Sequence, residues 1–124
     1  MRQPAMISII DDDESVRTAT ASLVRSLGFE TSTFDSAEAF LSSPRLRDAD
    51  CVISDVQMPG MSGIDLQARL RSLGNGIPMI FITAFPEERV RRKAMSAGAI
   101  GFLSKPFEGR EMVEAIELAL RAAK

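Results

Sequence analysis

The sequence predicts an α/β fold, a doubly wound five-stranded parallel sheet flanked by helices on both faces. Short, mainly apolar runs recur along the chain and are separated by segments with helical periodicity. Strand and helix alternating with short links is the pattern of a parallel sheet buried on both sides. The third observation concerns where the runs stop. Ile7-Ser8-Ile9-Ile10 leads into Asp11 and Asp12, and Cys51-Val52-Ile53-Ser54 leads into Asp55. Met79-Ile80-Phe81-Ile82 leads into Thr83, and Gly101-Phe102-Leu103-Ser104 leads into Lys105.

The elements follow in order. Residues 6–10 read as the first strand. The next helix carries Val16, Ala19, Leu23 and Leu27 on one face and stops at Gly28, which suits the left-handed position beyond a helix end. Residues 29–34 alternate in part and read as a more exposed strand at the sheet edge. Asp35-Ser36-Ala37-Glu38 offers a helix start, with Asp35 or Ser36 as cap. Ala39, Phe40 and Leu41 follow, and Ser43-Pro44 ends that segment. The third strand, at residues 51–54, precedes Met58-Pro59-Gly60-Met61-Ser62-Gly63, a loop first rigid and then permissive. A helix with Leu66, Leu70 and Leu73 closes at Gly74-Asn75-Gly76. The fourth strand at 79–83 leads into a helix at 87–97 that Gly98 ends. The fifth strand covers 100–103, and the last helix, from Glu111, carries Val113, Ile116 and Leu120 on one face. No linker, second domain or low-complexity stretch interrupts residues 1–124, which read as one domain without solenoid repeats.

Composition narrows the function. A chain of 124 residues with 45% hydrophobic and 26% charged residues can bury a real core as a single globular unit. The net charge of -2 gives no electrostatic case for nucleic-acid binding by this domain itself. No run approaches the roughly 20 apolar residues of a membrane span. Met1-Arg2-Gln3-Pro4-Ala5 runs straight into the first strand, so no signal peptide is expected. The single cysteine, Cys51, opens an apolar strand; it is expected to be inert core and points to a reduced, cytoplasmic setting. The absence of histidine excludes a His-dependent triad, a His metal site and an internal phosphohistidine. One Cys excludes a zinc-thiolate cluster within one chain. The chemistry is left to Asp, Thr, Ser, Lys and backbone.

In an open α/β sheet, ligands bind beyond the carboxyl ends of the strands. Were the four runs neighbours, their terminal carboxylates, hydroxyl and ammonium would meet at one edge. Alone, Asp11 and Asp12 are equally well explained as helix N-terminal charge, together with Asp13 and Glu14. Asp55 changes the balance. Like charges a few ångströms apart repel by roughly 1 kcal/mol in water and about 4 near a protein surface, so converging carboxylates call for a cation. Oxygen ligands with retained waters favour Mg²⁺ or Mn²⁺. Asp55 is the nucleophile candidate, able to attack phosphorus and form an aspartyl phosphate whose charge the metal would offset. Lys105 offers a point charge and Thr83 a hydroxyl for phosphoryl oxygens. Singly, Thr83 is an ordinary β-branched strand end and Lys105 an ordinary solvated lysine. Together with the acids they form a phosphoryl-transfer set.

Ile9-Ile10-Asp11-Asp12, the stretch from Asp55 to Gly63, Thr83-Ala84 and Lys105-Pro106-Phe107 resemble the receiver domain of two-component response regulators. The likeness covers nearly the whole chain, and the ordered set is specific where each fragment is weak. It implies the flavodoxin-like or CheY-like (βα)5 fold and a phosphoryl group passed to Asp55 from the phosphohistidine of a sensor histidine kinase. It further implies Mg²⁺ held by Asp12 directly and by Asp11 usually through water, with Asp55 and the backbone carbonyl of Gln57 completing the set. Thr83 matches the switch hydroxyl, Lys105 the phosphate-binding lysine, and Phe102 the aromatic that rotates inward as the Thr moves. Phe102 lacks the hydroxyl of the tyrosine common there, and from sequence alone it is equally a packed strand aromatic. The Lys105-Pro106 bond is often cis in the family, which an X-Pro bond permits. Gln57 and Phe85, each two residues past a site residue, stand where relatives gate the attacking water. The receiver reading entails self-phosphorylation and autodephosphorylation rather than a separate enzymatic turnover.

Glu87-Glu88-Arg89-Val90-Arg91-Arg92-Lys93 resembles a basic patch, but Glu87 with Arg91 and Glu88 with Arg92 are favourable pairs one turn apart, which favours a solvated face. The alternative is a partner surface, since this helix and the next two elements form the usual receiver output face. A competing class is the haloacid-dehalogenase type of Mg-dependent phosphatase, which needs an acid two residues past the nucleophile. Gln57 stands there and cannot serve. The Asp11 to Arg17 and Asp35 to Leu41 stretches are similar to FixJ-like regulators, which implies transcription control through a helix-turn-helix output domain after the receiver. Nothing of that domain is read through Lys124. A stand-alone receiver acting on a protein partner is the alternative, and phosphorylation-dependent homodimerisation is a further expectation.

Overall fold

The computed structural model describes residues 4–122; the readings that touch Met1, Arg2, Gln3 and Lys124 lie outside them. The chain runs β1 (Met6–Ile10), α1 (Glu14–Ser26), β2 (Glu30–Phe34), α2 (Ala37–Ser42), a 3-10 turn (Pro44–Asp48), β3 (Cys51–Asp55), α3 (Gly63–Ser72), β4 (Met79–Thr83), α4 (Glu88–Ser96), β5 (Gly101–Ser104) and α5 (Gly109–Ala122). The strands form one parallel sheet in the order β2-β1-β3-β4-β5. The chain moves outward in opposite directions from β1 and β3, so the topological switch point lies between them.

β1, β3 and β4 are buried at every position, as their mainly apolar runs predict, with Ser8, Ser54 and Asp55 buried among them, whereas β2 and β5 are edges and half exposed. Each sheet face carries its own core. Ile7, Ile9, Ile53 and Ile80 pack with α1 and α5 through Val24 and Ile116. Ile10, Val52 and Phe81 pack on the other side with Phe40, Leu66 and Ala94. Burying Val, Leu, Ile or Phe side chains contributes about 1.5–3 kcal/mol each, and that drives both layers together.

The helix faces differ in detail from the periodicity reading. In α1 the buried side chains are Thr20, Ala21 and Val24, with Val16 and Leu23 packed at the margin and Ala19 exposed. Val16, Thr20 and Val24 lie one turn apart on a single line, and the buried Thr20 continues a stripe that hydrophobicity alone misses. In α5 the line is Met112, Ala115, Ile116 and Ala119, with Leu120 at its edge, and the helix begins at Gly109 rather than Glu111. Leu73 is 57% exposed, because it caps the end of α3 instead of continuing the Leu66 and Leu70 stripe. Ser36, not Asp35, caps α2 by accepting the Ala39 N–H at 3.0 Å. Ser43 then caps the 3-10 turn, with Pro44 at its first position. Gly28 follows α1 with φ of 97°, as expected for the residue beyond a helix end.

Candidate functional site

Register brings the four strand ends together. Ile10 lies beside Ser54, Asp55 beside Ile82, and Thr83 beside Ser104. The ladder also runs one residue past the strands. Asp11 N–H donates to the Phe34 carbonyl at 3.1 Å, Val56 N–H to Ile82 at 3.1 Å, and Lys105 N–H to Thr83 at 2.8 Å. Asp11, Asp55, Thr83 and Lys105 are therefore held by sheet backbone, not by mobile loops.

The acids converge. One carboxylate oxygen from each of Asp11, Asp12 and Asp55 lies within 4.8 Å of the others. Asp11 is fully buried, Asp55 is 8% exposed, and Asp12 faces solvent. Lys105 Nζ donates to Asp11 Oδ2 at 3.2 Å and to Asp55 Oδ2 at 3.1 Å, and only 17% of its side chain is exposed. That excludes a free solvated lysine. Backbone donors complete the acids: Asp13 N–H meets Asp11 Oδ1 at 2.9 Å, and Gln57 N–H meets Asp55 Oδ1 at 3.3 Å.

The charges do not cancel at every member. Burial pushes the Asp11 carboxyl above its ordinary value, and the Asp55 charge adds to this against the Asp13 N–H and Lys105. Burial would lower Lys105, but the Asp11 charge, the Asp55 hydrogen bond and the Asp55 charge together raise it. For Lys105 the two anions it faces outweigh burial, whereas for Asp11 burial and the Asp55 charge outweigh the Asp13 N–H and the single cation.

Thr83 is 1% exposed, and its Oγ1 accepts the Phe85 N–H at 3.1 Å, which ties the side chain to the turn that begins the β4–α4 loop. Phe102 is half-buried on β5, its ring 6.3 Å from that of Phe81. Gln57 is exposed, and Phe85 is 68% exposed. The Lys105-Pro106 bond is cis. Arg91 pairs with Glu88 at 2.8 Å rather than with Glu87, and Arg92 lies 3.7 Å from Glu88. The reason is local: Glu87 is the helix cap in extended conformation, outside the helical lattice on which one-turn spacing holds.

Three further residues shape the site and were missed in sequence. Arg17 Nη1 donates to the Asp11 carbonyl at 2.8 Å, pinning the loop that carries the acids. Glu38 accepts the Met61 N–H at 3.0 Å, so α2 holds the loop after Asp55. Gly63 packs so tightly that a Cβ there would run into the Asp55 carbonyl. A spacing argument could have found Arg17, one turn into the helix after the acids. No local signal points to the role of Glu38, and Gly63 stood in the loop and in the family stretch without any sign of its packing, because both act across the fold.

A doubly wound sheet with an acid cluster and a lysine at its carboxyl edge defines a class of α/β domain whose site lies at the switch point. Residues 7–117 match the family model described as response regulator receiver domain, and the chain belongs to that family. It is 45% identical over 121 residues to the response regulator protein TmoT of Ectopseudomonas mendocina, covering 98% of this chain and 55% of that protein. It is 38% identical to the transcriptional regulatory protein FixJ of Bradyrhizobium diazoefficiens, over 95% of this chain and 58% of that one. A crystal structure of FixJ-N superposes with a TM-score of 0.87 at 39% identity, covering 97% of this chain and 96% of the other. The response regulator StyR superposes at 0.88 with 45% identity, over 96% of this chain and 60% of that one. The chain thus spans about half the length of the curated relatives it matches. Among the described residues no helix is long and apolar enough to cross a membrane.

Proposed function

We propose that this receiver domain accepts a phosphoryl group on Asp55 from the phosphohistidine of a sensor histidine kinase and, through that modification, alters the surface it offers an output partner. The observation that carries this is the Lys105 ammonium shared by Asp11 and Asp55, with Asp12 beside them. Three oxygen donors this close suit a hard divalent cation, and Asp11, Asp12, Asp55 and the Gln57 carbonyl are the residues to hold Mg²⁺ or Mn²⁺. When bound, the ion supplies positive charge opposite the oxygens of the transferring group.

Asp55 attacks phosphorus in line, the new O–P bond forming as the donor's N–P bond breaks and its imidazole leaves. Lys105 then exchanges a carboxylate contact for a phosphoryl oxygen, and Thr83 turns its hydroxyl from the Phe85 N–H toward another. Phe102, next to Phe81, adjusts its packing as Thr83 moves. Lys105 also lines an open apolar groove with Val16, Ala19, Leu23, Pro106 and Phe107, which supports a protein donor docking beside the site. The response is homodimerisation or contact with a helix-turn-helix output domain, as fits a chain resembling half of transcriptional regulators, in a cytoplasmic setting. No turnover on an external substrate is proposed beyond taking and losing the phosphoryl group.

Intact-mass spectrometry after acetyl phosphate and Mg²⁺ should show one added phosphoryl group, lost in Asp55→Asn. Equal labelling of that variant overturns the assignment. Asp12→Ala should remain folded and lose Mg²⁺ binding, followed by calorimetry because the chain has no Trp or Tyr. Undiminished binding refutes the metal set.

A further inference from the structure

The helix α4 is held very differently at its two ends. Near the site, Phe85, Pro86, Glu87, Glu88 and Arg89 are all exposed, and Glu87 caps the helix without any side-chain hydrogen bond. Val90, half-buried and packed at the margin of the core, is the apolar anchor of this end, and Ala94 is the one fully buried side chain of α4. A nine-residue helix with so little apolar burial has low local stability.

The far end is anchored from inside and outside. Gly98, with φ of 104°, donates its N–H to the Met95 carbonyl at 3.0 Å, and Ala99 N–H donates to Ala94 at 3.0 Å. These are the paired bonds of a Schellman end. The Ala94 carbonyl takes a second donor, Gln67 Nε2 of α3, at 3.0 Å. Gln67 is 5% exposed, so its amide is a buried cross-helix bond rather than a surface contact. Ile100 N–H then joins the Met79 carbonyl at 2.8 Å and fixes this end to the start of β4, at the opposite edge from Thr83.

We infer that Gln67 is a positioning residue that makes the Ala94 end of α4 a pivot, so that movement is confined to residues 85–91 beside the site. The side chain lies across two helices and touches neither acids nor lysine. The element free to respond is the stretch bearing exposed Phe85 and the Glu88 and Arg91 pair. A partner reading the switch would meet an aromatic ring and a charged first turn, not the basic end at Lys93. The direction of the signal rests on the Thr83 reading above. The pivot does not, since it belongs to the unmodified chain.

Gln67→Met and Gln67→Leu keep the bulk and remove the donor, and the cavity of about 260 Å³ bordered by Gln67, Leu70, Ala97 and Gly98 gives either side chain room. Amide hydrogen exchange of the unphosphorylated protein tests the pivot directly. The amides of Ala97, Gly98 and Ala99 should exchange about tenfold faster in both variants, the size of one lost hydrogen bond, with α3 and β4 within about twofold of wild type. Unchanged protection at those three amides overturns the pivot. So does uniform loss across α3, α4 and β4, which would make Gln67 a general support of the fold. With beryllofluoride, wild-type chemical-shift changes should be larger at residues 85–91 than at 94–99, and Gln67→Met should even them out. Larger changes at 94–99 in wild type also overturn the pivot. Absence of any beryllofluoride response in wild type counts against the phosphoryl reading, while the exchange measurement still decides the pivot.

Discussion

Gly63 is the position where one added methyl group should do most damage for its size. It starts α3, is buried, and donates its N–H to the Val56 carbonyl at 2.8 Å. Its backbone is not in the left-handed region, so alanine is conformationally acceptable and would add up to about 1 kcal/mol of helix propensity. Sterics decide otherwise. The new Cβ would run into the Asp55 carbonyl oxygen and sit 3.0 Å from the Phe81 ring and 3.1 Å from Ser54 Oγ. Ser54 cannot simply turn away, because its hydroxyl donates to that same Asp55 carbonyl at 2.9 Å. Overpacking of this kind costs about 1–3 kcal/mol, and backbone is the least able to yield. Gly63→Ala should therefore lose about 1–2 kcal/mol and roughly 3–8 °C in Tm by far-UV circular dichroism. It should also slow acetyl phosphate labelling, since the backbone carrying Asp55 has to shift. Gly76→Ala is the control: nothing lies within 4 Å of its Cβ position and its φ is not positive, so it should be neutral or gain about 0.4–1 kcal/mol. A Gly63→Ala protein as stable as wild type would refute the packing argument.

Asp11 gives a pH signature in metal-free buffer. Its folded pKa is raised above 3.8, so the folded chain binds a proton that the unfolded chain releases, and stability falls as pH rises through that window. Asp11→Asn should lack that fall in urea titrations, and should gain less stability than wild type from added Mg²⁺. A steeper fall in the variant would contradict the burial account. Thr83→Ala should lose about 1 kcal/mol from the missing bond to Phe85 N–H, accept phosphate at Asp55, and lose most phosphate-dependent dimerisation in sedimentation. Equal dimerisation in both proteins would remove Thr83 from the switch. Cys51 is buried and its thiol is pushed up to about 12, first by burial and then by the Asp50 charge, so a thiol reagent at pH 8 should label it only on unfolding. Rapid labelling of the native chain would show that β3 opens readily.

The strands and the polar residues at their ends were legible because parallel strands buried on both faces write themselves as mainly apolar runs. Ile7 to Ile10 and Met79 to Ile82 read as buried strands, which places the polar residue after each run at the carboxyl edge. Helix faces were less legible. A stripe can run through a threonine such as Thr20, and a leucine such as Leu73 can fall on a cap where burial stops. Pairing on the surface failed where Glu87 left the helical lattice, so Arg91 took Glu88 instead.

By itself, the sequence determined the fold class, the order of the elements and which side chains stand at the strand ends, because period, burial and turn chemistry are local. Only the tertiary structure decided which charges meet. Lys105 lies 94 residues from Asp11 and 50 from Asp55, and its shared bond to both depends on β5 joining the sheet beside β4. The same holds for Glu38 on the Met61 loop, Gly63 against the Asp55 carbonyl, and Gln67 on the last turn of α4. Each is set by groups from separate elements, backbone as well as side chain, reaching one point in space, and no residue's neighbours in the chain carry that information.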